Sequence, residues 1–242
     1  MNRDLLISYS YYYLGEYDKI VKAIKNDIEV PLVNVDNAIT IFDEHYPKCL
    51  FNLKYPPFVL YYKGNLNLLN RESIAIVGSR NPCEYALNAT KNLAIVNSDK
   101  VIISGLAKGI DACAHTYAKH SIGILGCGID YIYPRCNYDL IKAMEKHDLI
   151  LSEYPLMSKP LGYHFPFRNR IIACLSSKVY VMQSTLASGT MTTVNEALEL
   201  GKEVKVLPYD VFNEFGNNNN HLIYEGASII ESSEIDISNR NM

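Results

Sequence analysis

From Ser73 onward, short apolar runs alternate with segments of helical periodicity, and this alternation constrains the fold more than any other feature of the chain. The runs are rich in β-branched residues and apolar throughout, which is typical of strands buried on both faces. Strands of this kind, separated by helices, form parallel sheets covered on both sides. The sequence therefore predicts an α/β fold, an extended Rossmann-like, doubly wound and mostly parallel sheet. The predicted strands are residues 74–77, 101–103, 122–125, 149–151, 179–182 and 204–207, and the predicted helices are residues 85–96, 111–120, 138–146, 170–175 and 190–200.

The first part of the chain, up to about residue 70, lacks this alternation. A loose helical period runs over residues 17–28, and the prolines within residues 47–57 rule out a long helix there. Residues 58–62 have the composition of a short strand. We expect two parts: a short N-terminal helical element over residues 1–42, and the extended Rossmann-like domain over residues 43–242.

The net charge of −3 over 242 residues limits how the chain could bind nucleic acid. Because the protein has no global positive field, a polyanion would have to bind a local basic patch. The hydrophobic content of 48% is ordinary for a globular protein with a core. The length fits one large domain, or one domain with a small appendage.

The cysteines are scattered, with no C-x-x-C pair and no histidine at zinc-finger spacing. The N-terminus lacks the apolar run and cleavage site of a signal peptide, and no run approaches the roughly 18 apolar residues of a membrane span. We therefore expect a cytoplasmic protein with reduced cysteines, no metal site and no membrane association.

Polar, glycine-containing turns follow most of the predicted strands. Glycine lets the backbone approach a ligand closely, and the helix that follows presents N–H groups to an anion. Each turn alone is common in α/β proteins, but the carboxyl ends of parallel strands meet at one edge, where ligands of this fold bind. The G-x-G-x-x-G and P-loop motifs are both absent, which argues against a dinucleotide enzyme and an ATPase. The turns are Gly78-Ser79-Arg80, Ser104-Gly105 with Lys108, Gly126-Cys127-Gly128, Ser152-Glu153 and Ser188-Gly189-Thr190.

No aspartate or glutamate occurs over residues 154–195, although this window contains both arginine and lysine. Within it, Phe165, Arg168, Asn169 and Arg170 combine an aromatic ring, two guanidiniums and an amide. Arginine offers a planar, charged donor fork suited to phosphate, and a ring can stack on a base. These residues indicate an anion-binding surface. The alternative is an arginine pair that caps and solubilises the start of a helix.

Other polar residues are weaker candidates. Asp111 and His115 are spaced one helical turn apart and could form a catalytic pair. The alternative is a carboxylate at a helix start with a structurally bonded histidine. Glu153 follows a strand but has no obvious nucleophile partner, and the asparagines at residues 217–220 predict a polar loop. No G-x-S-x-G nucleophile elbow occurs.

Taken in order, these motifs resemble those of the DprA (Smf) family, the DNA-processing proteins of natural transformation. The resemblance covers about residues 43–230, and the ordered set is far more specific than any single motif. The chain departs from the family pattern at Pro208-Tyr209 and at Asn218–His221. The matching segments are Ile74–Arg80, Ser104–Asp111 with Ala114-His115, Gly126–Asn137, Leu151–Pro155, Phe165–Ile172, Ser188–Thr190 and Leu222–Ala227.

The resemblance implies an extended Rossmann domain that binds and protects single-stranded DNA and loads the RecA recombinase on it during natural transformation and recombination. Relatives act as homodimers and are not known as enzymes, so no cofactor is expected. We expect arginines to hold successive phosphates without reading sequence, and Phe165 to stack on or wedge a base. The implied DNA contacts are Arg80, Phe165, Arg168, Asn169 and Arg170, with backbone or hydroxyl contacts from Gly78, Ser79, Ser104, Gly105, Ser188 and Gly189, and with Lys108 and Lys159 as further candidates.

Two other functions are compatible with this fold. One is a nucleotide phosphoribohydrolase of the related LOG type, whose motif reads P-G-G-x-G-T-x-x-E with a catalytic glutamate. Aligning Gly189-Thr190 with that motif puts Thr193 in place of the glutamate and Glu196 one helical turn further on, which argues against hydrolysis. The other is a nucleotide-sensing domain, which would bind mononucleotides but not oligomers.

Overall fold

The protein is described here from a computed structural model over residues 1–186 and 188–238, in which the chain forms a nine-stranded mixed sheet flanked by helices. Residues 239–242, at the end of the predicted main domain, and residue 187 lie outside the described residues. The strands are β1 (Ala38–Thr40), β2 (Val59–Gly64), β3 (Ser73–Val77), β4 (Val101–Ser104), β5 (Ser121–Leu125), β6 (Leu149–Ser152), β7 (Lys178–Val181), β8 (Glu203–Val206) and β9 (Ser228–Ile229). The α-helices are α1 (Arg3–Tyr12), α2 (Tyr17–Lys25), α3 (Glu84–Val96), α4 (Ile110–Tyr117), α5 (Tyr138–His147), α6 (His164–Leu175), α7 (Gly189–Glu199) and α8 (Asn217–Tyr224).

The strand order is β1-β2-β6-β5-β4-β3-β7-β8-β9. Strands β3 to β9 pair in parallel, and β1 and β2 add an antiparallel edge beside β6. The chain enters the parallel part at β3, winds outward to β6, and returns through α6 to β7 on the other side of β3. The winding therefore reverses between β3 and β7, where this architecture forms its ligand-binding crevice. The predicted α/β, doubly wound and mostly parallel sheet is confirmed.

The predicted strands of the parallel sheet agree with the observed bounds to within one residue. The helix expected over residues 111–120 ends earlier, at Tyr117. The sequence patterns do not predict α1, β1, α8 or β9. Strand β1 lies before the proposed boundary at residue 42 and pairs with β2, so the division of the chain into two parts stays a prediction.

The helix predicted to start at Arg170 instead begins at His164. Pro166 lies in its first turn, where the backbone N–H groups have no partner inside the helix, so its missing N–H costs no hydrogen bond. Phe165, Arg168 and Asn169 are therefore on a helix and not on the loop before it. Their positions are fixed by the packing of α6.

The expectation of a polar loop at residues 217–220 is wrong, because these asparagines begin α8. Asn219 is fully buried, and its Nδ2 donates to the carbonyl of Leu207 at 3.0 Å and to that of Met182 at 3.2 Å. Its Oδ1 accepts from both the N–H and the hydroxyl of Ser184 at 2.9 Å. This side-chain amide thus provides hydrogen-bond partners for backbone carbonyls at the ends of β7 and β8. It also fixes the position of Ser184 in the turn that leads to α7.

Helices cover the parallel sheet on both faces. Successive residues of β3 point to opposite sides: Ile74 and Ile76 pack with α3 and α4, whereas Ala75 and Val77 pack with α6 and α7. Both faces are predominantly apolar, as the hydrophobic runs in the sequence require. Within the described ranges, no helix is both long enough and apolar enough to cross a membrane.

A buried ion pair fixes α6 against the sheet. Arg170 on α6 and Glu153 after β6 have side chains only 3% and 4% exposed. Nη2 of Arg170 donates to both carboxylate oxygens, at 2.6 and 2.8 Å. Its Nε donates to the carbonyl of Tyr55 at 2.9 Å, and its Nη1 donates to that of Phe167 at 2.8 Å. The pair therefore ties together α6, the end of β6 and the proline-containing arm before β2.

Replacing Glu153 tests this anchor. In Glu153→Ala a buried guanidinium loses its counter-charge, so we expect the free energy of unfolding to fall by about 3–5 kcal/mol in a urea titration. The pair of exposed Glu72 and half-buried Lys100, 2.8 Å apart, supplies the control. Glu72→Ala should cost less than about 1 kcal/mol. Equal losses in the two variants would show that the buried pair does not anchor α6.

His115 is a structural residue of the core. Its Nδ1 is hydrogen-bonded to Oγ of Ser121 on β5, and Asp111 accepts a hydrogen bond from the N–H of Ala107 at 3.2 Å. Burial disfavours the imidazolium and, with the nearby charge of Arg168, lowers the pKa of His115 to about 3. These contacts favour the structural alternative for the Asp111 and His115 pair.

The low pKa of His115 predicts acid sensitivity. At pH values between 6.5, the ordinary pKa of histidine, and about 3, the unfolded chain binds a proton at His115 and the folded chain does not. The contribution of neutral His115 to the free energy of unfolding is therefore fully present above pH 6.5 and is lost as pH falls, by about 1.4 kcal/mol per pH unit. We expect His115→Asn to reduce the slope of unfolding free energy against pH, and exposed His45→Asn to leave it unchanged. An unaltered slope in His115→Asn would contradict this assignment.

Candidate functional site

Two adjoining cavities open at the carboxyl edge of the sheet, where the winding reverses. The larger, about 620 Å³, lies between the turn after β3, the start of α6 and the start of α7. The smaller, about 290 Å³, lies between the turns after β4 and β5. Arg80, Tyr133, Phe165 and Arg168 line both. Of the predicted site residues, Gly78, Ser79, Asn169, Ser188 and Gly189 line the larger cavity, and Gly105 and Lys108 line the smaller.

An exposed guanidinium and aromatic rings form the mouth shared by the cavities. Arg80 is exposed, and its guanidinium carbon lies 5.7 Å from the centroid of the Phe165 ring. Phe165 is 5.5 Å from the ring of Tyr133, measured between centroids. A Cβ on Gly126 would lie 2.8 Å from the Phe165 ring, so the glycine leaves room for it. The mouth thus offers a cation for phosphate and rings for a base.

Behind the mouth, Arg168 lies buried between the two cavities. It is 4% exposed, and its Nη1 donates to the carbonyl of Ile124. A side chain on Gly105 would overlap the guanidinium, which explains the glycine in the turn after β4. The Nε of Arg168 has no hydrogen-bond partner among the described residues. Because Arg168 lines both cavities, its guanidinium can bind an anion that enters there.

Asp111 is the acidic group in this lining. It is buried, and burial raises the pKa of its carboxyl, an effect that the positive charge of Arg168 opposes. The charges around the larger cavity are therefore mixed at its floor and positive at its mouth, where Arg80 is exposed.

The start of α7 forms the opposite wall. Ser188 precedes the helix in an extended conformation, and its hydroxyl has no partner among the residues described. Asn169 donates to the carbonyl of Gly189 at 2.9 Å and so holds this end of α7 beside α6. The first N–H groups of a helix have no internal partner and attract anions. With Thr190 and Thr193 in the lining, this wall presents hydroxyl and N–H donors.

Two of the predicted contact residues, Arg170 and Ser104, line neither cavity. Arg170 lines neither cavity, because it is buried and its donors are used by Glu153, Tyr55 and Phe167. Ser104 is fully buried, and its hydroxyl donates to the carbonyl of Ile76 at 2.7 Å, which joins β4 to β3. Both residues stabilise the edge that carries the site. Lys159 is exposed but is absent from the lining of either cavity.

Several residues of the lining were outside the predicted set. Tyr133 follows β5 and lines the cavities. The sequence feature that could have identified it is an aromatic residue within the segment Gly126–Asn137. Asn81 extends the turn after β3, and Thr185 precedes α7. Turn composition alone does not show which side chains enter the crevice, because that depends on how the helices pack. Among the described residues, no cluster of three or more metal-ligating side chains occurs.

The chain is similar to known proteins over most of its length. A family model described as DNA recombination-mediator protein A matches residues 37–240. The chain is 40% identical to the DNA processing protein DprA of Bacillus subtilis, over 82% of this chain and 69% of the relative. It is 38% identical to DprA of Streptococcus pneumoniae, over 81% of this chain and 72% of the relative.

Solved structures show the same similarity. The X-ray structure of DprA from Streptococcus pneumoniae superposes with a TM-score of 0.78 at 31% identity, covering 95% of this chain and 89% of the other. A structure of DNA processing protein A from Helicobacter pylori, described for its single-stranded DNA binding mode, gives a TM-score of 0.74 at 35% identity, covering 80% of this chain and 90% of the other. The chain therefore belongs to the DprA (Smf) family of DNA-processing proteins.

Proposed function

We propose that this protein binds single-stranded DNA along the two cavities and acts in DNA processing during natural transformation and recombination. The observation that carries the proposal is the pairing of an exposed guanidinium, Arg80, with the ring of Phe165 at a mouth backed by buried Arg168. The Helicobacter pylori relative, described for its binding of single-stranded DNA, supports the same ligand class.

In this proposal each element has a separate role. Arg80 holds a backbone phosphate, and Phe165 and Tyr133 stack on a base. Arg168 and the start of α7 receive a further phosphate inside the larger cavity. None of these groups reads the pattern of donors and acceptors on a base, so binding is independent of sequence. A flexible single strand can bring a base and its phosphates to these groups together, whereas a duplex keeps its bases stacked inside.

The proposal also covers partners and chemistry. Following the family resemblance, the protein acts in the cytoplasm as a homodimer that protects the strand and loads RecA, without catalysing a reaction. Thr193 lines the larger cavity where a phosphoribohydrolase of the LOG type would place its glutamate. Glu196 is absent from the lining of both cavities. The position of Glu196 therefore favours binding over hydrolysis.

The matched variants Arg80→Ala and Arg71→Ala test the site. Both arginines are exposed, but Arg71 precedes β3 and so lies at the opposite edge of the sheet. Loss of a charged phosphate contact in Arg80→Ala should weaken binding of a labelled single-stranded oligonucleotide by about 1.5–3 kcal/mol, or ten- to a hundredfold. The slope of log affinity against log salt should fall by about one. Fluorescence anisotropy across salt concentrations measures both quantities.

Arg71→Ala should retain the affinity and salt slope of the unmodified protein, and duplex DNA should bind more weakly than single-stranded DNA to all three proteins. Equal affinity of Arg80→Ala and Arg71→Ala would place the site elsewhere. Binding of mononucleotides without binding of oligomers would favour the nucleotide-sensing alternative.

A further inference from the structure

Two cysteines from distant parts of the chain meet at the end of α6 that lies away from the cavities. Cys49 is in the 3₁₀ turn Lys48–Asn52, and Cys174 is in the last turn of α6. The thiol of Cys174 donates to the carbonyl of Cys49 at 3.1 Å, and the two side chains are close enough for the thiols to affect each other's pKa through a hydrogen bond. Both are free thiols. The fold therefore brings the Cys174 thiol against Cys49, although 125 positions separate the residues.

The two thiols have different environments. Cys174 is 2% exposed, whereas Cys49 is half-buried. The hydrogen bond from Cys174 and the nearby ammonium of Lys202 lower the pKa of Cys49 against the effect of burial. The same hydrogen bond and burial raise the pKa of Cys174. Lys202 is held in place because its Nζ donates to the carbonyls of Cys174 and Ser176. An accessible thiol with thiolate character next to a second thiol is the arrangement of oxidation-sensitive cysteine pairs.

We infer that Cys49 and Cys174 form a site of reversible oxidation, at which a hydroperoxide converts the two thiols into a disulfide between the 3₁₀ turn and α6. The site goes beyond DNA binding and does not depend on it. Cys83, Cys113, Cys127 and Cys136 are free thiols as well. What distinguishes Cys49 and Cys174 is that the thiol of one lies against the other cysteine.

The reaction has two steps. The Cys49 thiolate attacks one peroxide oxygen, so an S–O bond forms, the O–O bond breaks, and hydroxide leaves with hydrogen peroxide as the oxidant. Cys174 then attacks the sulfenic sulfur. The S–S bond forms, the S–O bond breaks, and the departing hydroxyl leaves as water with the proton of the Cys174 thiol. The two sulfurs together give two electrons to the peroxide, and a thiol reductant reverses the change.

The disulfide would join the arm before β2 to the end of α6 that is remote from Phe165. Because Sγ of Cys174 already lies 3.1 Å from the backbone oxygen of Cys49, the bond needs little backbone movement. We therefore expect oxidation to raise the melting temperature, since it restricts the unfolded chain, and to leave the cavity mouth in place.

The experiment uses the full chain. The protein is treated with hydrogen peroxide and then denatured in the presence of N-ethylmaleimide, which alkylates the remaining thiols. It is then digested, and the peptides are mapped by mass spectrometry. We expect a linked peptide containing Cys49 and Cys174, loss of both as alkylatable thiols, and recovery of both after dithiothreitol. Exposed Cys136 should remain alkylatable under the same treatment. Oxidation of Cys136 before any Cys49 to Cys174 linkage forms would overturn the inference.

Variants separate the roles of the two thiols. In Cys174→Ser, Cys49 should stop at the sulfenic acid, which dimedone traps; in Cys49→Ser, Cys174 should stay reduced. Cys136→Ser should form the linkage at the rate of the unmodified protein. A Cys174→Ser protein without a dimedone adduct, or a linkage that survives in either serine variant of the pair, would contradict the assignment. The peptide map of the unmodified protein does not depend on how well these variants fold.

Discussion

The buried contact between Arg170 and Glu153 is the interaction on which the site depends. Helix α6 is the crossover that carries the chain from β6 back to β7, and its first turns lie across the carboxyl edge where the winding reverses. With the middle of α6 fixed by a buried ion pair, Phe165 lies against Gly126 and Arg168 against Gly105. Each of these glycines is required because a side chain would occupy the space of its partner. The crevice is thus a consequence of where one helix is anchored.

The three arginines first grouped by sequence have three different roles. Arg170 is structural, Arg168 is buried between the cavities with an unpartnered Nε in the described structure, and Arg80 is exposed at the mouth. This arrangement reconciles a net charge of −3 with the proposed binding of a polyanion. Only the mouth and the walls need positive potential, because a flexible strand interacts with the surface that it touches and more distant charges are screened by salt.

The fold could be predicted from the sequence because uninterrupted apolar runs leave little choice besides a covered parallel sheet. The turns after the strands could also be placed at one edge, since that follows from parallel pairing. The roles of Arg170 and Ser104 could not, because their partners Glu153 and Ile76 are brought close only by tertiary packing. The contacts of Asn219 could not be predicted either, because its amide donates to backbone carbonyls after β7 and β8 that only the fold brings close. The start of α6 was not predicted from the sequence. Its first turn contains Pro166, and proline is tolerated in a first turn although it breaks a helix at interior positions.

The most direct test of the account is to find which residues touch the strand. Ultraviolet cross-linking of the protein to a single-stranded oligothymidylate, followed by peptide mapping, reports this directly. The account predicts cross-links on the peptides that contain Phe165 or Tyr133, and their loss at high salt. Phe212, between β8 and α8, is 91% exposed and serves as an internal comparison for contact by exposure alone. Cross-links at Phe212 without cross-links at the cavity mouth would contradict the account.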